Sequence, residues 1–253
     1  HEIIFLITKA FNIKSICIQT GAELNILPKA GFHNINHSKY LVWGVYYKKF
    51  FKKTSPNLKT IIVGDYLLNN ELKKRHNKKK IGIFLQTKNA HLNTKEMKEF
   101  QNFVNWLILN FKKDILIRVH PGDTDDDFDI LKYKNELEID DPKKIKLGES
   151  LSKCSIMVCY YSSTIITALS MGVIPIIFDK NFVFEKNLQS LNKNKVKIIS
   201  SDFEILKKAI YKINSDQNYS RLLSAKLKKQ FKSHIKYKGK KSLLKIKLII
   251  KQS

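Results

Sequence analysis

The chain has 253 residues, 43% of them hydrophobic and 27% charged, a globular composition with length for one large or two small domains, so disorder over most of it is excluded. Its longest apolar runs, such as Ile174 to Phe178, are far short of the roughly 20 residues a membrane-spanning helix needs. The formal charge is +25, from 47 basic against 22 acidic residues, yet the only arginines are Arg75, Arg118 and Arg221. A nucleic-acid reader that relies on the planar arginine fork is therefore not expected.

The chain opens on His1 and runs directly into the helix-like stretch Glu2 to Ala10, with no charged leader before it, and reads as a fragment missing its own beginning. Cys17, Cys154 and Cys159 make an odd set, two of them in apolar runs, so a disulfide framework or zinc cage is not expected and a reducing cytoplasm is. Short β-rich runs follow at Lys14 to Gln19, Leu41 to Trp43 and Thr60 to Val63, each closed by Gly or polar residues. The segment Asn69 to Lys80 is polar, basic and without an apolar stripe, which marks a domain boundary.

Beyond it strands and helices alternate. Strands are expected at Ile81 to Gln86, Asp114 to Val119, Ser155 to Tyr160, Ile174 to Phe178 and Lys195 to Ile199. Helices are expected at Thr94 to Phe111, Glu149 to Lys153, Ser163 to Met171, Asp202 to Ile213 and Asn218 to Ser233, with a weak one before Leu137. That alternation implies a parallel sheet covered on both faces, a doubly wound α/β domain whose ligands sit beyond the carboxyl ends of the strands. After Asp216 no acid occurs, while Arg221 and eleven lysines from Lys226 to Lys251 follow.

Two strand ends carry the candidate chemistry. The strand Ile115 to Val119 runs into His120-Pro121, and the proline restricts His120 to an extended conformation, projecting its imidazole from the strand's edge. There it is placed to donate to a phosphate oxygen, or to hydrogen-bond its own loop. Arg118, an odd charge in an apolar strand, either braces this site or forms a surface salt bridge. The buried strand ending at Tyr160 passes through Tyr161 into Ser162-Ser163-Thr164 and a helix. Ser162 or Ser163 there caps the helix, and the same amides and hydroxyls at the positive end of the dipole suit a phosphate. Gly172 reads as a left-handed cap.

The succession of strand and His-Pro, buried strand into Ser-Ser-Thr, then Ala168-Leu169, Met171-Gly172 and Ile174-Pro175-Ile176 resembles the carboxyl-terminal domain of bacterial GT-B glycosyltransferases of capsule and surface-polysaccharide assembly. The His-Pro and Ser/Thr pair is similar to that of sialyltransferases, polysialyltransferases and Kdo transferases that use CMP-sugars, and of CDP-glycerol glycerophosphotransferases. Upstream, Gln19-Thr20-Gly21, Val42-Trp43-Gly44 and Val63-Gly64 resemble the last strands of a GT-B amino-terminal domain. The resemblance covers roughly Lys14 to Ile213. It implies a GT-B-like α/β fold of two Rossmann-like domains with parallel sheets, the amino-terminal one truncated: residues 1–74 as its remainder and linker, 75–213 as the nucleotide-sugar domain, 214–253 as a basic helical tail.

It also implies that His120, Pro121, Ser162, Ser163 and Thr164 face the nucleotide phosphate, with Arg118 and the strand-end Gln86 beside them. Expected partners are a nucleotide-sugar, CMP-sugar favoured, and a glycan or glycolipid acceptor, with no separate cofactor, no metal and no nucleic acid. Two departures stand out: the acidic pair before Gly that sialyltransferases use as base is absent, and Thr20 stands where many relatives have His. Glu23, a carboxylate directly after a Gly-terminated strand, is the candidate base, with a surface-loop role as its alternative; the true base otherwise precedes His1. A fragment of this kind is expected to bind nucleotide weakly and to turn over nothing.

Other constellations carry less. Asp123 to Asp127 lacks the Gly and terminal Glu of a calcium loop, and His33 and His37 lie among Gly31, Asn34 and Asn36, which argue for a loop. No GxGxxG or P-loop occurs, which disfavours dinucleotide oxidoreductases and NTPases. The tail, with charge and apolar residues interleaved, is expected to attach to an anionic membrane, at the inner face of the cytoplasmic membrane, to pack back across the domain cleft as the terminal helix of GT-B proteins does, or to do both.

Overall fold

The computed structural model describes residues 6–8, 10–19, 37–66, 68, 80–85, 94–122, 135–160, 162, 164–179 and 197–252. In chain order they form β1 (Ile16–Ile18), β2 (Lys39–Val42), α1 (Val45–Thr54), β3 (Thr60–Ile62), β4 (Lys80–Phe84), α2 (Thr94–Phe111), β5 (Ile115–Arg118) and β6 (Glu138–Asp140). There follow α3 (Leu147–Lys153), β7 (Cys154–Cys159), α4 (Thr164–Met171), β8 (Ile174–Phe178), β9 (Ile199–Ser200), α5 (Phe203–Ser215), α6 (Gln217–Gln230) and α7 (Lys240–Lys251).

The chain divides into two compact units, the first made of His1–Glu71 with Gln230–Ser253 and the second of Leu72–Lys229. The basic tail is thus shared: it belongs to the second unit through Lys229 and to the first from Gln230 onward. Two described elements, β6 and α1, were not expected, and α7 was expected only as part of a helical tail. The expected helix before Leu137 falls largely outside the described residues, which resume with the turn before β6.

In the second unit six strands pair in parallel in the order β6-β5-β4-β7-β8-β9. The central strands are buried on both faces, which is why Ile115 to Ile117, Ile156 to Cys159 and Ile174 to Phe178 read as unbroken apolar runs rather than alternating ones. Helix α2 places Phe100, Phe103, Val104, Leu107 and Ile108 at helical spacing toward this sheet, all at most 3% exposed. Phe203 stacks between Phe103 (centroids 4.8 Å apart) and Phe178 (4.3 Å), tying α5 to the same core. The Asp202 side chain accepts from the Glu204 amide at 2.8 Å and caps α5.

Helix α4 stops as the sequence expects. Gly172 has φ +74°, its amide donates to Leu169 O at 3.1 Å and the Val173 amide to Ala168 O at 2.9 Å, a Schellman closure that turns the chain into β8. The Gly172 carbonyl accepts from Ser224 Oγ at 2.5 Å, so α6 is seated on this turn.

Among the described residues the first unit holds a three-stranded parallel sheet, β1-β2-β3. One face holds Leu41 and Val63 against Ile246 of α7, with Ile16, Ile18, Ile61, Tyr66 and Ile249 around them. Tyr40 meets Phe51 of α1 edge-on at 4.9 Å. The sequence motifs of this unit turn out to be joints. Gln19 is 2% exposed; its Oε1 accepts from the Trp43 amide at 2.9 Å and its carbonyl from the Trp43 indole Nε1 at 3.0 Å, locking the end of β1 to that of β2.

The two glycines after β2 and β3 make room for the returning tail. A Cβ on Gly44 would collide with the carbonyls of Ser233 and His234, and one on Gly64, where φ is +85°, with the Tyr237 backbone. Across those ends the Lys236 amide donates to Trp43 O at 3.0 Å, the Asp65 amide to Tyr237 O at 2.9 Å, and the Gly239 amide to Asp65 O at 2.9 Å. His234, 7% exposed, stacks on Tyr46 with centroids 4.2 Å apart and lies against Phe231 at 4.6 Å. Residues 230–252 of the tail thus pack within this unit.

Candidate functional site

With β4 taken as the first strand of its sheet, β6-β5-β4-β7-β8-β9 is the order 3-2-1-4-5-6 of a Rossmann domain. The order reverses at β4, whose neighbours leave in opposite directions, so a crevice opens beyond its carboxyl end. Register fixes what borders it. Phe84 of β4 pairs with Arg118 of β5 on one side and Cys159 of β7 on the other. His120 lies two residues past Arg118 and Ser162 three past Cys159, so the two sequence-derived phosphate elements flank one strand. Their backbones stand roughly 10 Å apart, two strand spacings.

On the β5 side His120 is exposed, and its Nδ1 accepts from the Gly122 amide at 3.1 Å across the turn that Pro121 starts. The loop bond weighed as an alternative for this residue is present. It also has a chemical consequence: with Nδ1 occupied as acceptor, the neutral ring carries its proton on Nε2, which becomes a directed donor.

Arg118 is 7% exposed, and its Nη1 donates to Ile145 O at 2.9 Å and Ser150 Oγ at 2.7 Å. Burial lowers its pKa, while Asp140, Asp141 and Glu149 act in the opposite direction. The guanidinium thus braces the approach to α3 beneath the His120 turn and is not the surface salt bridge weighed for it.

On the β7 side Ser162 Oγ accepts from the Thr164 amide at 3.2 Å and shares a hydrogen bond with Thr164 Oγ1 at 2.6 Å, while Ser162 O accepts from the Ile165 amide at 3.3 Å. Thr164 Oγ1 also approaches Met157 Sδ at 3.8 Å. Ser162 therefore caps α4, and Ser162 and Thr164 bring two hydroxyls together at the positive end of a helix whose residues Ile165 to Ser170 are buried. Glu23, Gln86 and Ser163 lie outside the described residues.

The sequence reading missed an acidic element along the same edge. Tyr160 directly follows β7 at 4% exposure, Asp179 follows β8 at 4%, and Glu96 sits in the first turn of α2 at 7%. The Tyr160 hydroxyl is held well above the ordinary tyrosine range, first by burial and then by the charges of Glu96, Asp179 and Glu99. The rule that strand-end residues face ligand would have found Asp179, directly after Ile174 to Phe178. Carboxylates thus join the donors along this edge, Asp179 after β8 and Glu96 beside Tyr160.

Among the described residues no group of three or more His, Cys, Asp or Glu is placed to hold a metal, and no helix is long and apolar enough to cross a membrane. Cys17, Cys154 and Cys159 form no disulfide, and burial pushes the Cys159 thiol up.

The Rossmann order of the second unit and the parallel sheet of the first define a GT-B-type α/β fold. Solved structures share this architecture. The chain is similar to the wall teichoic acid polymerase TagF soaked with CDPG, at 15% identity and a TM-score of 0.58, over 89% of this chain and 60% of that one. It is similar to S. aureus MnaA in its UDP co-structure, at 10% identity and a TM-score of 0.62, over 98% and 69% of the two chains. A putative UDP-N-acetylglucosamine 2-epimerase from Listeria monocytogenes matches at 11% and 0.58, over 98% and 71%. The chain spans about 60% of the length of the polymerase. No family model matches the sequence, and no curated protein matches it.

Proposed function

We propose that this chain binds a nucleotide-activated sugar, a CMP-sugar by preference, and transfers the sugar to a surface-polysaccharide or glycolipid acceptor at the cytoplasmic side of the membrane. The observation that carries this reading is the pairing of His120 with the Ser162–Thr164 helix start on either side of β4, where the strand order reverses. In the reaction the bond between the anomeric carbon and the phosphate oxygen breaks, its electron pair leaving with the nucleotide. The acceptor oxygen bonds to that carbon and gives its proton to a base, for which Glu23 is the candidate. Charge grows on the departing phosphate, and the Nε2 proton of His120, with the Ser162 and Thr164 hydroxyls at the positive end of α4, is placed to meet it. Asp179, after β8, and Glu96, beside Tyr160, would repel phosphate and accept from hydroxyl or amino groups instead.

The likeness to a polymerase soaked with CDPG favours a second reading, transfer of a glycerophosphate group from a CDP-linked donor, and the epimerase likeness a third, rearrangement of a UDP-sugar. All keep a nucleotide at this edge. A non-catalytic polysaccharide-export or surface-binding protein would not.

A thermal-shift series with CMP, CDP, UDP and GDP separates these readings, because a ligand at a hundred times its Kd raises stability by about 2.7 kcal/mol. CMP or CDP should give the largest shift. No shift with any of the four would remove the whole group of readings. His120→Ala is expected to weaken nucleotide affinity or turnover by about 100-fold, the effect of losing one preorganised donor; a folded variant with unchanged binding and kinetics would show that the imidazole serves only its own turn.

A further inference from the structure

We propose that the outward face of α7 docks the first unit onto an anionic lipid surface. This inference is independent of the transferase reading. Helix α7 uses one face to build the core: Ser242 and Ile246 are buried and Ile249 packs beside the sheet. At 3.6 residues per turn the opposite line runs through Leu244 and Leu248, which are 61% and 58% exposed, and Lys240, Lys241, Lys247 and Lys251 fall within about 60° of it. Leu243 and Ile250, at 41% and 55%, extend the apolar strip to one side. The fifth lysine of the helix, Lys245, is turned inward over the Tyr237 ring at 4.4 Å.

Exposed leucines threaded between four exposed lysines, with no acid anywhere after Asp216, select among occupants. A second copy of the same face would set lysine against lysine. An apolar protein groove would have to take the ammonium groups out of water without partners. A nucleic acid would leave the leucines in water. A bilayer boundary satisfies both: acyl chains receive Leu244 and Leu248, while the lysine stems lie along the surface and their ammonium groups reach anionic phosphates.

The test is sedimentation of the full chain with vesicles of phosphatidylcholine, alone and with rising phosphatidylglycerol, at low and high salt. Binding should grow with the anionic fraction and fall with salt. Replacing Lys240, Lys241, Lys247 and Lys251 together by Gln should lower partition about fivefold per residue, at least a hundredfold in all, and the pair Leu244→Ser and Leu248→Ser about tenfold or more. These side chains are exposed, so the variants should melt as the parent does. A variant that melts normally and still binds as the parent does would overturn the proposal, as would binding to an RNA homopolymer with none to vesicles. As a second readout, Leu248→Trp should gain a blue-shifted emission quenched by brominated lipid, relative to the parent's two tryptophans; no added quenching would also overturn it.

Discussion

The two sheets of this chain are both parallel, yet they close in opposite ways. In the second unit the covering layers come from segments between or just beyond the strands they protect: α2 lies between β4 and β5, α4 between β7 and β8, and α5 follows β9. In the first unit the described sheet is three short strands, two of them only half-buried along their length, and one face is completed by α7 from late in the chain. Local closure spends little loop entropy, whereas closure by a distant segment must be held by contacts specific enough to repay it. That is why the first unit concentrates its special residues, Gly44, Gly64, Gln19 and His234, along the path of the returning tail, while the second relies on repeated apolar runs.

The contrast is broken most severely at Gly64. An alanine there would face both a left-handed φ, about 1–2 kcal/mol, and overlap with the Tyr237 backbone, a further 1–3 kcal/mol or so of overpacking. Gly64→Ala should release the tail, read by hydrogen exchange as lost protection of the Lys236, Gly239 and Asp65 amides, with the β4–β5–β7 amides still protected. Equal loss in both units would erase the distinction between them.

A titration sharpens it next. Burial holds the His234 imidazole down to about 4 against an ordinary 6.5, so the folded unit keeps it neutral where the unfolded chain would protonate it. Above pH 6.5 the contribution to stability is complete. As pH falls from 6.5 toward 4 the unfolded chain takes up the proton and the folded one does not, and about 3 kcal/mol is lost across that window. His234→Phe should remove this part of the acid sensitivity of the first unit. An acid profile identical to that of the parent would mean the ring is not buried as described.

The smallest effect is expected at the second unit's own joint. Ser162→Ala takes away the acceptor for the Thr164 amide and should cost about 1 kcal/mol. If nucleotide affinity falls as well, the cap is also part of the phosphate site; if only stability falls, capping is its whole role.

Helix α2 from Thr94 to Phe111 and strand β8 from Ile174 to Phe178 were legible to the residue, because an amphipathic period and an unbroken apolar run between breakers each define their own ends. Helix α1 was not, since Val45 to Thr54 mixes aromatic and lysine residues and only Tyr47 and Phe51 are buried. Strand β6 was not, since Glu138-Ile139-Asp140 has no strand signature and depends on β5 and on Lys153, which bonds Glu138 at 2.8 Å and Asp140 at 2.9 Å.

Of the candidate site, His120 and Ser162 were readable from the amino-acid order alone, because a proline after a strand and hydroxyls before a helix impose their geometry within a few residues. That they border the same strand, that Arg118 turns away to brace Ile145 and Ser150, and that Asp179 joins the edge were settled by strand order, which no local pattern encodes. The same division holds for the glycines after β2 and β3. Their presence at strand ends was visible in the sequence, but the reason for it, the backbone of residues 233–237 crossing above them, exists only once segments from opposite ends of the chain have met.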